Sequence, residues 1–116
     1  MDYPLVMKRL EKWGATNYLE VAHRTLLSPE AAKIWVRAIL GEKTIVRVKR
    51  TRSSWAYKHN GSVTLACSRD QRRVVRLSHV LHECAHHLDF AKGKLADGRH
   101  GESFTRTYLR LLRAAM

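Results

Sequence analysis

RRVVRLSHVLHECAHHL, residues 72–88, decides how the chain is read. Val74, Leu77, Leu81, Cys84 and Leu88 recur at steps of three and four. That spacing marks one face of a helix and predicts about 19 helical residues from Arg72 onward. His82 and His86 stand beside the apolar stripe, four residues apart, so both imidazoles leave one face about one turn from each other. They are expected to edge a cleft rather than fill the core. Glu83 lies about 100° around the helix from His82, too far to share a ligand shell but near enough to act on a water. His-Glu-x-x-His therefore supplies two neutral nitrogen ligands and one carboxylate base, the division of labour a zinc hydrolase needs. A catalytic zinc also takes a third protein ligand and keeps one position for water.

The sequence around this helix predicts an α+β domain. Pro4 to Trp13 reads as a short helix ended by Gly14. Ser28 is a good N-cap, Pro29 suits the first helical position and Gly41 the C-terminal cap, so 29–40 is a helix. TIVRVKR (44–50) alternates apolar with basic residues, which suits a half-buried strand. WAYKH (55–59) and SVTLAC (62–67) flank Asn60-Gly61, a dipeptide suited to a two-residue hairpin turn. The expectation is a small antiparallel sheet of about three strands, with 62–67 as the edge that aligns an extended substrate. After the histidine helix, GKLADGRHG (93–101) is a loop, and 102–115 forms a last helix with Phe104, Tyr108 and Leu111 on one face. The 116 residues, 45% of them hydrophobic, suffice for a single domain spanning 1–116.

His100 is the leading third ligand. It follows His86 by 14 residues, after a glycine-containing turn able to bring the chain back over the helix. VLHECAHHL (80–88) followed by HGESFTRTYL (100–109) resembles the SprT/Spartan-like zincins, whose second motif supplies the third zinc-binding histidine. The order and length also resemble a compact family of metallohydrolases from actinobacteria and their phages. Those chains read V-L-H-E-x-A-H-H-L and then H-G-P-x-F-x-x-x-Y/L. The resemblance is sharp over 80–109 and looser over 28–79. It implies a minimal zincin-like domain with His82, His86 and His100 on Zn2+ and Glu83 as general base, cleaving a protein or peptide with a zinc-activated water. In one departure, Glu102 and Ser103 stand where the family often has Pro-Glu, which leaves Glu102 open as a rival ligand.

Other residues admit two readings each. His79, one turn before His82, either lines the cleft or is a solvated helix-face histidine. Asp89, three after His86, is either a hydrogen-bond partner of a ligand histidine or a surface charge at the helix end. Tyr57 and Tyr108 are the tyrosines placed to stabilise an oxyanion, or else core residues. His87 reads as structural and His59 as exposed. Cys67 and Cys84 fall in apolar segments and read as reduced core cysteines of a cytoplasmic protein.

The net charge is +12, from 22 Lys and Arg against 10 Asp and Glu. Such a field favours polyanions. Candidate nucleic-acid contacts are Arg47, Lys49, Arg50 and Arg52, then Arg72, Arg73 and Arg76, then the stripe of Arg106, Arg110 and Arg113. Hence DNA or RNA is an expected partner, and a basic nucleic-acid-binding module with a structural or vestigial metal site is the alternative to the hydrolase. No apolar run is long enough to span a membrane, and the N-terminus lacks the pattern of a secretory signal.

Overall fold

Glycine turns and one side-chain cap bound the first helices. In the computed structural model, which describes residues 3–50, 55–56, 62–68, 72–91 and 101–116, helix α1 (Tyr3–Lys12) ends at Gly14 with φ 67°. That left-handed conformation suits a residue without Cβ, and it lets the Ala15 amide close back on the Leu10 carbonyl at 2.8 Å. The chain then turns directly into α2 (Thr16–Arg24), a helix not expected from the sequence. Helix α3 (Pro29–Leu40) has the predicted bounds. The Ser28 hydroxyl accepts from the Ala31 amide at 3.1 Å, Pro29 opens the first turn, and Gly41 (φ 120°) caps the end.

Three strands, β2 (Val46–Lys49), β3 (Trp55–Ala56) and β4 (Val63–Ala66), form a sheet in the order β2-β4-β3. β3 and β4 are antiparallel, as the hairpin reading expects, but β2 runs parallel to β4. The sheet is thus mixed, not antiparallel. Alternating hydropathy fixes which face of a strand is buried and says nothing of its direction. Here the chain leaves β2, passes over the neighbouring position and returns as β3, so that β4 fills the gap between them. Nor is 62–67 the edge expected from the sequence: β4 is the central strand. Its burial agrees, since Val63 and Leu65 and also Ser62 and Thr64, on the opposite face, are covered.

A second, two-stranded ribbon pairs β1 (Leu26–Leu27) with β5 (Val75–Arg76). This pairing shortens the histidine helix. α4 (Leu77–Ala91) starts five residues later than its apolar spacing predicts, with the Leu77 amide held by the Thr25 carbonyl at 2.9 Å. Val74 and Val75 fit a helical stripe and a strand equally well, and a partner some 50 residues away settles the choice. The last helix, α5 (Glu102–Ala115), has the predicted bounds.

α4 lies at the centre, touching α2, α3, α5, β3, β4 and β5. Val80, Leu81, Cys84 and Ala85 face the core, joined by Phe104, Tyr108 and Leu112 from α5 and by Val6, Leu10 and Val36 from the first helices. The result is a compact α+β fold in which the histidine helix is the most enclosed helix. Among the described residues no helix is long and apolar enough to cross a membrane.

Candidate metal centre

His79, His82, His86 and Asp89 follow one another at steps of three and four along one side of α4. In the middle of that row the Nε2 atoms of His82 and His86 come within 3.1 Å, their rings edge to face with centroids 4.8 Å apart. At that separation one imidazole N–H can donate to the other ring's lone pair. The same separation suits two ligands of one ion: with zinc–nitrogen bonds of about 2.0–2.1 Å and tetrahedral angles, two ligand nitrogens lie about 3.3 Å apart.

Helix α5 holds the pair from behind. Phe104 stacks on His86 at 4.4 Å and meets His82 edge-on at 4.9 Å, and Tyr108 meets His82 at 5.5 Å. Both aromatic residues are fully buried. The Tyr108 hydroxyl donates to the Ser78 carbonyl at 3.1 Å, so the contact it makes with His82 is through its ring. The two differ in depth: His86 is only 9% exposed, whereas His82 is half-buried, nearer the cleft edge expected of both. The spacing of α5 places Phe104 on its apolar face but does not show that the ring packs on the two histidines.

Glu83 is 6% exposed and makes no hydrogen bond or ion pair among the described residues. Burial favours its neutral form and raises its carboxyl to about 7. Perturbed, unpaired carboxyls of this kind are characteristic of acid–base residues. Burial, then the Glu83 charge, lifts the neighbouring Cys84 thiol to about 12, which makes it an inert core group. Both cysteines are buried and unbridged.

Asp89 is not a surface charge. It is 2% exposed, and its Oδ1 accepts from the Ser103 hydroxyl at 3.3 Å and the Thr107 hydroxyl at 3.2 Å. The carboxylate therefore ties the end of α4 to the first turns of α5, the helix that carries Phe104. Buried polar groups without partners are costly, so the three residues specify how the helices meet. Ser103 and Thr107 carried no signal in the sequence.

Among the described residues no third His, Cys, Asp or Glu joins His82 and His86. His100 lies outside the described residues, as do Tyr57, His59 and Arg52. Gly101, which follows His100, is buried at the start of α5. The rival ligand Glu102 is turned to solvent, where its Oε1 takes the Arg106 guanidinium at 2.7 Å. His79 stands apart from the pair. It is exposed and meets His23 of α2 with centroids 6.3 Å apart, next to Arg76, whose Nη1 donates to the His23 carbonyl at 2.6 Å. His87 is half-buried.

The basic candidates fall on three separate stretches of the fold. Arg47 and Lys49 occupy the exposed positions of β2, with Arg50 after them. Arg72, Arg73 and Arg76 are exposed before α4, and Arg106, Arg110 and Arg113 are exposed on α5. Compared with known protein families, with curated proteins and with solved structures, the chain matches none.

Proposed function

We propose that this protein is a zinc-dependent hydrolase, and specifically a peptidase of the zincin kind. The observation that carries the reading is the convergence of the His82 and His86 Nε2 atoms at 3.1 Å, with Glu83 buried on the adjacent side of the helix. The donor set fits zinc: two neutral imidazoles, presented four residues apart on a rigid helix, are preferred ligands for it. His82 and His86 would hold the ion, and His100 is the proposed third ligand. Bound there, zinc supplies Lewis acidity, polarising a carbonyl and bringing the acidity of water toward neutral pH.

The remaining chemistry belongs to the chain. Glu83 takes the proton of the attacking water and returns it to the leaving amine, which needs a carboxyl that exchanges protons near neutral pH. Phe104 and Tyr108 keep both imidazoles in place, so that little reorganisation is needed as the reaction proceeds. With β4 flanked on both sides, β3 is the outer strand of the sheet that borders α4. Its outer edge, unpaired among the described residues, is the proposed place for an extended substrate to pair.

The test is Glu83→Gln. Metal analysis of the variant should find about one zinc per chain, as in the unaltered protein, while cleavage of a fluorescence-quenched casein should fall by about 10²–10⁴-fold, the usual contribution of a positioned base. Undiminished cleavage by the zinc-loaded variant would refute the mechanism.

A further inference from the structure

The outer face of α5 has a use that the metal centre does not explain. Arg106, Arg110 and Arg113 recur at steps of four and three on the side away from Phe104 and Tyr108. They span about 10 Å along the helix at 1.5 Å per residue. α5 packs against α1 and α2, which brings up two aromatic rings. The Arg106 guanidinium lies over the Trp13 ring at 5.2 Å and that of Arg113 over Tyr18 at 5.9 Å. Between Trp13 and the helix is a recess of about 450 Å³ lined by Trp13, Arg106, Leu109, Arg110 and Arg113. Of the three arginines, Arg106 is paired with a carboxylate, that of Glu102 one turn earlier. Among the described residues Arg110 and Arg113 have no acidic partner.

We propose that this recess binds single-stranded nucleic acid. A guanidinium lying over a ring uses its flat face, so Arg113, stacked on Tyr18 and without an acidic partner among the described residues, keeps its in-plane N–H groups for the bidentate grip on a phosphate. Stacking also restricts the arginine before a ligand arrives, so less side-chain freedom is lost on binding. Trp13 and Leu109 add an apolar surface between the cations. Phosphate-seeking arginines interleaved with surfaces that take a base are the arrangement of single-strand grooves. An acidic peptide would use the charge but not the ring. A duplex would meet only the rim of so small a recess. The net charge of +12 draws any polyanion inward, and this recess supplies the local selectivity.

The inference is independent of the hydrolase reading, because neither readout requires metal or turnover. The test measures fluorescence anisotropy of a labelled oligothymidylate of about 12 nucleotides against the full chain, over a salt series. Arg110→Ser with Arg113→Ser should weaken binding about tenfold or more and flatten the log–log salt dependence by about 1.4, two phosphate contacts at about 0.7 each. Arg47→Ser with Lys49→Ser removes the same charge from β2 and should change affinity less than about twofold. Equal losses in the two double variants would overturn the proposal by showing that net charge alone acts. So would a labelled polyglutamate, a duplex of equal length or phosphatidylserine vesicles binding as tightly as the oligothymidylate. Failure of the unaltered chain to bind the oligothymidylate would end it.

Discussion

His82 and His86 bring their Nε2 atoms to 3.1 Å, whereas His79, one turn earlier on the same helix, meets His23 of α2 with ring centroids 6.3 Å apart. The residue types are identical, so the difference lies in what surrounds them. The first pair comes from one helix, at the spacing that aims both rings at one point, and Phe104 and Tyr108 back it. The second pair joins two helices, is exposed, and has the Arg76 guanidinium at its side, a fixed positive charge that repels a metal cation. A histidine count cannot tell these pairs apart; the aromatic backing of one and the Arg76 guanidinium beside the other do.

The sharpest way to break this comparison is to remove one member of each pair. His82→Ala should abolish zinc binding in metal analysis and with it hydrolysis, while His79→Ala should keep about one zinc per chain, as a four-coordinate site can spare no protein ligand. Loss of metal in both variants would mean that the pairs form one site. Next in size is the backing itself. Phe104→Ala removes a fully buried ring and should cost about 3–5 kcal/mol in urea unfolding. It should also weaken zinc affinity in a competition titration, because the imidazoles lose the surface that orients them. Unchanged affinity in the folded variant would show that α4 alone sets their geometry.

The smallest effect concerns pH. Although its surface is open to solvent, the His79 ring is partly desolvated by the groups around it, and this first, then the charges of His23 and Arg76, holds it below the ordinary histidine range. The fold therefore favours neutral His79, and the unfolded chain takes up its proton first as pH falls through about 6.5. This contribution to stability is complete above that pH and declines on acidification. His79→Gln should consequently lose less stability than the unaltered protein between about pH 7.5 and 5.5 in urea titrations. Identical losses would mean that His79 is as solvated in the fold as in the unfolded chain.

Much of this architecture was legible where a local rule decides. Ser28, Pro29 and Gly41 bound α3 by capping chemistry, and the spacing of Phe104 and Tyr108 gave α5 its inner face. What escaped depends on distant partners. Val75 and Arg76 are strand because Leu26 and Leu27 lie opposite them, and β2 is parallel because β4 arrives between it and β3. At the site, His82, Glu83 and His86 announced themselves because the helix fixes their relation. Asp89 looked equally suited to solvent, and only the hydroxyls of Ser103 and Thr107, one helix away, show why it is buried.

The order β2-β4-β3 has a consequence for solubility. Among the described residues it leaves β2 as an outer strand, and a strand of unpaired amides and carbonyls invites other chains to add to it. Arg47 and Lys49 alternate with Val46 and Val48 there, placing a positive charge at every second position. A second copy approaching in register would bring like charges together, so these residues guard the rim of the sheet against aggregation. That duty accounts for their charge without any ligand, and it predicts that evolution toward neutral residues at 47 and 49 would be paid for in self-association.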